Sequence, residues 1–400
     1  MFKQHKLCAY IFVITIMYLM CSVLLKVSSI QSVRMQQEIW IDWEKLYPFE
    51  VQEEKYTSSS RKSKLYKLYS YVKQKIWKYS TTELHQRFQF VGVAKKYEDI
   101  IGWNFASFSD YNGVVKLAED YLASYTASKD TSKSAGAFID LGKFCRNVDI
   151  EYLYVNYPGK ICIYEDANIS GILDFSNQNT DSFLQRLEAN GIRYYDMRKA
   201  LHDDGLKHHQ AFFRTDHHWK PETGLWAARH ILQFMRDFYG LNTKPEMLVT
   251  QNFKYVIYPD WFLGSQGKKV TLLQTKPEDF TLIYPKFDTQ FRFEVPVLGI
   301  DVSGDFSVTY DMKHVETKDY YNTSPYLTYK YGDRSLTRIH NLLNNDGVKV
   351  LFIHDSMSDC VVPFIALGIE TTESIDLRFF TGSIMSYIKS SRPDVVISAY

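Results

Sequence analysis

The chain contains 400 residues, which is enough for one large α/β domain or two smaller ones with a sizeable core. Its 47 Lys and Arg residues and 46 Asp and Glu residues leave a formal net charge of +1, so nucleic-acid binding is not expected. Aromatic residues make up 16% of the chain, which suits carbohydrate-facing surfaces, although most of them should lie in the core. Five cysteines, two of them in an apolar N-terminal run, allow at most one disulfide bond in the rest of the chain.

The first recognisable element is an uncharged run of 19 residues at positions 7–25, LCAYIFVITIMYLMCSVLL. Such a run is long enough to cross a bilayer as one helix. No cleavage site of small residues follows it, which favours an uncleaved signal-anchor over a removed signal peptide. We therefore expect a short cytoplasmic tail at residues 1–6, a transmembrane helix at 7–25 and the large remainder of the chain outside the cytoplasm.

The next region, residues 26–89, is polar and aromatic and predicts a juxtamembrane stalk. Within it, the segment SKLYKLYSYVKQKIWKYS has apolar residues at helical spacing. From about residue 90 to residue 400, strands and helices alternate. The predicted strands are residues 150–157, 192–197, 348–353, 372–377 and 394–398. The predicted helices are residues 180–191, 221–239, 335–344 and 358–367.

A change of pattern marks residues 241–330. Short apolar runs such as VTLLQT, FTLIYP and FRFEVPVLGI alternate there with Pro and Gly, which predicts a β-rich insertion. On both sides of this insertion, strands are separated by helices. That order predicts an α/β fold with a doubly wound parallel sheet.

One candidate nucleophile follows a predicted central strand. The run VKVLFI ends at residue 353, and His354, Asp355 and Ser356 come directly after it. In doubly wound sheets, functional groups gather at the carboxyl ends of the strands. A serine at the turn into a helix lies near backbone N–H groups that can stabilise an oxyanion. The same position also suits a helix N-cap, so the local sequence leaves both interpretations open.

A partner for this serine is present in FFRTDHHWKPET, residues 212–223. A serine hydroxyl needs an imidazole to take its proton and a carboxylate to orient that imidazole. Alternate residues of an extended segment point to the same side, so Asp216 and His218 should face one site and His217 the opposite side. The spacing therefore predicts His218 as the general base, with His217 as second choice.

Two other interpretations use the same residues. Asp216, His217 and His218, with His208 or His209, could bind zinc. Adjacent histidines rarely converge on one ion and the chain has no HExxH motif, so we expect no metal there. The second alternative is a hydrogen-bonded structural loop, in which Phe213 and Trp219 are core anchors.

Six segments in the same order resemble the DHHW family of exported bacterial proteins. They are YPGKICIYED, ANGIRYYDMRKAL, FRTDHHW, DWFLGSQGKK, HDSMSDCVVPF and IDLRFF. Those proteins are similar to the SGNH-hydrolase-like domains of periplasmic alginate O-acetyltransferases. The resemblance implies an SGNH-hydrolase-like, flavodoxin-like fold for residues 90–400. Carried over by position, it implies Ser356 as nucleophile, His218 as general base and Asp216 as the orienting carboxylate.

The resemblance also implies supporting residues. Arg378 matches the arginine of the DLR segment and would contact substrate or hold the nucleophile loop. His217 and Trp219 flank the base. His354 is a departure, because many SGNH proteins have Gly at this place in a GDS motif. Its side chain would crowd the turn or reach into the site, and this puts the oxyanion hole in question.

The implied function is a membrane-anchored extracytoplasmic serine acyltransferase or esterase of a bacterial cell surface or periplasm. It would O-acetylate a cell-surface or secreted polysaccharide through an acetyl-Ser356 intermediate, without a cofactor. A multi-spanning membrane acyltransferase would supply the acetyl group. The alternative is a non-catalytic polysaccharide-binding or assembly subunit of an exopolysaccharide acetylation system, which the aromatic content and His354 favour.

Overall fold

The computed structural model describes residues 114–164, 174–344 and 347–400. The predicted membrane span at 7–25 and the predicted stalk at 26–89 lie outside these residues. Among the helices of the described part, none has both the length and the apolar character that a membrane crossing requires.

The strands of the described residues are numbered in chain order. They are β1 Val114–Lys116, β2 Leu122–Ser124, β3 Glu151–Asn156, β4 Tyr194–Asp196, β5 Phe253–Phe262, β6 Glu278–Pro285, β7 Phe291–Val295, β8 Ile300–Gly304, β9 Thr337–Asn341, β10 Lys349–His354, β11 Thr371–Asp376 and β12 Val395–Ala399. The α-helices are α1 Ser132–Asn147, α2 Ser176–Ala189, α3 Met197–Asp203, α4 His208–Ala211, α5 Pro221–Tyr239, α6 Ser265–Val270, α7 Val362–Ile365 and α8 Ile384–Ser391.

The central feature is an eight-stranded sheet in the order β4-β3-β12-β10-β11-β9-β7-β8. The first five strands in this order, β4, β3, β12, β10 and β11, pair in parallel. The other three, β9, β7 and β8, join the sheet through antiparallel pairs. The predicted α/β fold is confirmed, but the prediction of a wholly parallel sheet is wrong. Antiparallel strands need no crossover helix, so the hairpin of β7 and β8 extends the sheet through a short connection.

The largest difference from the predicted elements is β9. Residues 335–344 were expected to form a helix, yet Thr337–Asn341 pairs with β7 on one side and β11 on the other. Its burial alternates residue by residue, which is the pattern of a strand. The run VTLLQT is the second difference, since Val270 ends helix α6 and Leu272 and Leu273 are exposed.

Helix α5 is a predicted element that agrees in detail. It begins at Pro221, whose missing N–H is tolerated in the first turn, and it ends before Gly240. Gly240 has φ of 65°, a left-handed conformation that glycine adopts without the strain of a Cβ.

The core lies on both faces of the sheet. Successive residues of β10 alternate between two apolar clusters: Val350 and Phe352 belong to the cluster that contains α5, and Leu351 and Ile353 belong to the one that contains α1, α2 and α8. The thiols of Cys145 and Cys360 are buried in this core and form no disulfide bond. Because β10 is covered on both faces, its carboxyl end is the place where its chain leaves the core and can present side chains to solvent.

Candidate active site

The candidate nucleophile lies on a tight turn at the carboxyl end of β10. Asp355 caps a short 3₁₀ turn, Ser356–Ser358, because its side chain accepts a hydrogen bond from the N–H of Met357 at 3.0 Å. The hydroxyl of Ser358 lies 2.8 Å from that of Tyr157, which follows β3. The turn is therefore held at both ends, while Ser356 itself stays partly exposed.

The segment FRTDHHW forms the loop between α4 and α5. A backbone bridge between Phe212 and Trp219 closes the loop, and both side chains are buried. The indole N–H of Trp219 donates to the carbonyl of Met357 at 2.8 Å. Trp219 is buried, as the alternative of a structural loop expected, and it also joins this loop directly to the nucleophile turn.

The two segments meet in a chain of three side chains. Nε2 of His218 lies 2.8 Å from Oγ of Ser356, and Nδ1 of His218 lies 2.5 Å from Oδ1 of Asp216. Because a carboxylate can only accept, Nδ1 carries the proton and Nε2 is left to accept the serine proton. The structure thus brings together Asp216, His218 and Ser356, although Ser356 lies 138 residues away in sequence.

The charges in this chain depend on burial. The side chain of Asp216 is only 4% exposed. Burial would raise its pKa, but His218, His217 and the N–H of Ser265 outweigh burial and hold the pKa well below its usual range. Burial likewise disfavours a charged His218, yet the carboxylate of Asp216 raises the pKa of this imidazole above its ordinary value. The arrangement is that of a base oriented by a buried carboxylate.

A second segment holds Asp216 in place. The N–H of Ser265, at the start of α6, donates to Oδ2 of Asp216. Its neighbour Gly264 lies so close that a Cβ would overlap Cα and Cβ of Asp216. Gly267 packs against Thr215 in the same way and donates its N–H to the Thr215 carbonyl at 2.7 Å. Both glycines belong to the segment DWFLGSQGKK, and the close approach of their backbone to the Asp216 loop leaves no room for a Cβ.

A comparison with protein families matches the part of the chain that contains the Asp216 loop. Residues 118–256 match the family of SGNH hydrolase-like domains described as acetyltransferase AlgX. The resemblance predicted from the sequence is confirmed. The matched range contains Asp216 and His218 and ends before Ser356, which the fold brings to them.

Solved structures show the same fold. PatB1 from Bacillus cereus gives a TM-score of 0.60 at 18% identity, covering 72% of this chain and 95% of that chain. A DHHW family protein from Eubacterium siraeum gives 0.52 at 18% identity, covering 72% of this chain and 89% of that one. A comparison with curated proteins gives no match.

His217 differs from the sequence expectation. Its ring lies 3.8 Å from that of His218, between centroids, and its Nδ1 lies 2.9 Å from Oγ of Ser265. The expectation that it points away from His218 is wrong, because residues 214–218 form successive bends and alternate directions apply only to extended segments. His217 is 50% exposed and covers one face of the candidate base.

The remaining predicted residues, Arg378 and His354, form hydrogen bonds with groups other than Asp216, His218 and Ser356. Arg378 pairs in a bidentate manner with Asp376 and also contacts Asp333 at 2.7 Å, so its guanidinium is committed to two carboxylates that hold the end of β11. His354 is fully buried and donates from Nδ1 to the carbonyl of Asp355 at 2.6 Å. Burial lowers the pKa of His354 to about 3, so the side chain is neutral. It is a core residue beneath the turn.

Sequence reasoning missed Tyr326. Its ring stacks on His218 with centroids 4.2 Å apart, and its hydroxyl donates to the carbonyl of Met357 at 3.2 Å. Tyr326 belongs to no segment that resembled the family, and no periodic pattern marks it. Only its contacts in the folded chain, with His218 and Met357, identify it as part of the site.

The metal alternative has some support in geometry. One ligand atom from each of Asp216, His217 and His218 can be chosen so that all lie within 4.8 Å of one another. Both nitrogens of His218, however, already face hydrogen-bonding partners, Asp216 and Ser356. A metal ion would have to replace one of these contacts, so the donor set fits a proton-transfer chain better than a closed zinc site.

Proposed function

We propose that the chain is an extracytoplasmic O-acetyltransferase or acetylesterase that acts on a cell-surface or secreted polysaccharide. The observation that carries the proposal is the contact of 2.8 Å between Nε2 of His218 and Oγ of Ser356, with Asp216 on the other ring nitrogen. This connectivity is the one that nucleophilic acyl transfer needs. The match of residues 118–256 to an acetyltransferase family supports acetyl as the group that is transferred.

The first half-reaction forms an acetyl-enzyme. Oγ of Ser356 attacks the carbonyl carbon of an acetyl ester while Nε2 of His218 takes the hydroxyl proton. Asp216 stabilises the imidazolium that results. The proton then passes from His218 to the leaving oxygen of the donor, the donor bond breaks, and acetyl-Ser356 remains.

In the second half-reaction a sugar hydroxyl attacks acetyl-Ser356. His218 takes the proton of that hydroxyl and returns it to Oγ of Ser356 as the ester bond breaks. Water in place of the sugar gives deacetylation with the same residues. The two directions differ in how well water is excluded at the moment of attack.

The decisive experiment is capture of the acyl-enzyme. The full chain, purified in detergent, is exposed to 4-nitrophenyl acetate, quenched in acid and digested for mass spectrometry. We expect an acetyl group on the peptide that contains Ser356 and none on that peptide in Ser356→Ala. A phenylmethylsulfonyl fluoride arm should label the same residue; a sulfonyl adduct is known for PatB1. Acetyl or sulfonyl groups spread over surface residues, equally in both proteins, would refute the proposal in favour of a binding subunit.

Anchoring is the second part of the proposal. Residues 7–25 would keep the protein in the membrane, next to a multi-spanning acyltransferase that delivers acetyl groups from the cytoplasm. We expect the mature protein to be found in the membrane fraction with these residues intact. N-terminal sequencing that begins beyond residue 25 would contradict this, and it would leave the chemistry of Ser356 untouched.

A further inference from the structure

The segment of residues 326–332 contains the end of a 3₁₀ helix, a β-bridge from Tyr329 to Tyr310 and a turn, and it contacts both halves of the candidate site. Tyr326 begins it and stacks on the ring of His218 while its hydroxyl donates to the carbonyl of Met357. One side chain of this segment therefore contacts the candidate base and the nucleophile turn together. We call residues 326–332 the support segment.

A buried ion pair joins the support segment to the same turn. Nζ of Lys330 lies 3.1 Å from Oδ1 of Asp359, and both side chains are completely buried. Nζ also donates to the carbonyl of Gly332 at 3.1 Å. Asp359 follows Ser356 by three residues, and its N–H donates to the Ser356 carbonyl at 3.2 Å. A single backbone hydrogen bond thus links the residue that carries the buried carboxylate to the candidate nucleophile.

The backbone of the support segment is strained where it presents this lysine. Lys330 has φ of 54°, Tyr331 has φ of 59° and Gly332 has φ of 70°. Left-handed backbone is unfavourable for residues that have a Cβ, and bulky side chains adopt it rarely. Burying two charges is also costly, and an apolar pair of similar size often stabilises a fold as well or better. Neither feature is explained by stability alone.

We propose that Lys330 and Asp359 are positioning residues for acyl transfer. The pair fixes the nucleophile turn so that Ser356 stays within reach of His218, and it keeps a carboxylate on the turn that His218 contacts. This inference rests on the proposed function. It assigns the strained support segment a role in the alignment of nucleophile and base.

The electrostatic surroundings support this role. His218 faces Asp216 and His217 from its own loop, and Asp355 and Asp359 from the nucleophile turn, and both of these aspartates raise the pKa of His218. Burial raises the pKa of Asp359 to about 7, and Lys330 opposes this rise. Without Lys330 the pKa of Asp359 would rise further, so the carboxyl group would be protonated at neutral pH and its charge near His218 would be lost.

The test uses Lys330→Met and Asp359→Asn in the full chain, with the rate of acetyl-Ser356 formation from 4-nitrophenyl acetate measured across pH. We expect both variants to react more slowly at their optimum, on the order of 10²-fold, because small misplacements of reacting groups reduce rates this much. We also expect the acid limb of the pH profile to move to lower pH, because His218 loses a negative neighbour. Lys313→Met, an exposed lysine that contacts Asp311, is the matched control and should change neither quantity.

The double variant Lys330→Met/Asp359→Asn guards against a folding artefact, because it leaves no single buried charge uncompensated. Thermal unfolding followed by circular dichroism checks all the variants. A folded variant with an unchanged acid limb would overturn the inference, and so would a double variant that fails to fold. Should the wild-type chain itself never form acetyl-Ser356, the proposed function fails instead, so the two failures are distinguishable.

Discussion

Two parts of the molecule have the same order of groups, a carboxylate, an imidazole and a hydroxyl. In the candidate site these are Asp216, His218 and Ser356. The second set is centred on His230 of α5, whose Nε2 is 3.0 Å from Oδ2 of Asp204 and whose Nδ1 is 2.9 Å from the hydroxyl of Tyr195. The two sets share the order of groups, although the carboxylate contacts Nδ1 of His218 in one and Nε2 of His230 in the other.

Their surroundings separate them. The side chain of Asp216 is 4% exposed and that of Asp204 is 44% exposed. In the candidate site, Asp216 outweighs burial and the pKa of His218 lies above its ordinary value. In the second set, burial outweighs the exposed Asp204 and lowers the pKa of His230. Burial also raises the pKa of the Tyr195 phenol to about 12, which disfavours its ionised form. A buried carboxylate, rather than the order of groups, makes an imidazole a strong base toward a hydroxyl.

The largest expected effect separates the two hydroxyls. Ser356→Ala should lower the rate of 4-nitrophenol release from 4-nitrophenyl acetate by on the order of 10⁴-fold, because removal of one member of a catalytic unit abolishes the contribution of the others. Tyr195→Phe removes only the phenol oxygen of the second set and should retain nearly all activity. Steady-state rates of both purified variants, with circular dichroism to verify folding, provide the measurement. Comparable losses in the two variants would remove the distinction between the sets.

The next effect compares the two carboxylates. Asp216→Asn should reduce the rate by roughly 10³- to 10⁴-fold, because the amide favours the wrong tautomer of His218 and cannot stabilise its charge. Asp204→Asn should leave the rate within experimental error of wild type. The ratio of kcat/KM between the two variants is the quantity to measure. A ratio near one would mean that burial of the carboxylate is not what matters.

The pH dependence tests the two imidazoles. A protonated His218 cannot accept the Ser356 proton, so activity should fall as pH drops through the raised pKa of His218, by about tenfold for each unit below it. The midpoint should lie above the ordinary histidine value of 6.5. His230→Gln should leave this acid limb where it is. A midpoint that moves in His230→Gln would show that the wrong imidazole has been assigned.

The smallest expected effect concerns His217. His217→Ala removes a ring that covers His218 but leaves Asp216, His218 and Ser356 in contact, so activity should drop several-fold at most. Measured beside His218→Ala, which should be nearly inactive, it shows which of the adjacent histidines is the base. An inactive His217→Ala together with an active, folded His218→Ala would reverse the assignment.

Local patterns explain which parts of the site the sequence could predict. The apolar strand before Ser356 and the Pro221 start of α5 place both site segments at helix or strand ends, and end signals are encoded by a few adjacent residues. The spacing of Asp216 and His218 predicted that the carboxylate and the base face the same site. The direction of His217 was predicted wrongly because the loop bends.

Distant contacts explain what could not be predicted. Strand β9 resembles a helix in composition, and only its pairing with β7 and β11 makes it a strand. Tyr326 and Lys330 reach the site from the chain between β8 and β9, and their partners Met357 and Asp359 belong to the nucleophile turn, which is distant in sequence. A single sequence carries no local signal for such contacts.

The close contact between Gly264 and Asp216 has a consequence for the search for relatives of this chain in genomes. A relative can retain Asp, His and Ser at the three positions and still place a larger residue where Gly264 stands. That side chain would displace the carboxylate from its seat. Such a relative would match a search for the three residues although its imidazole had lost the oriented carboxylate, so a search pattern for this arrangement needs the glycine as a fourth position.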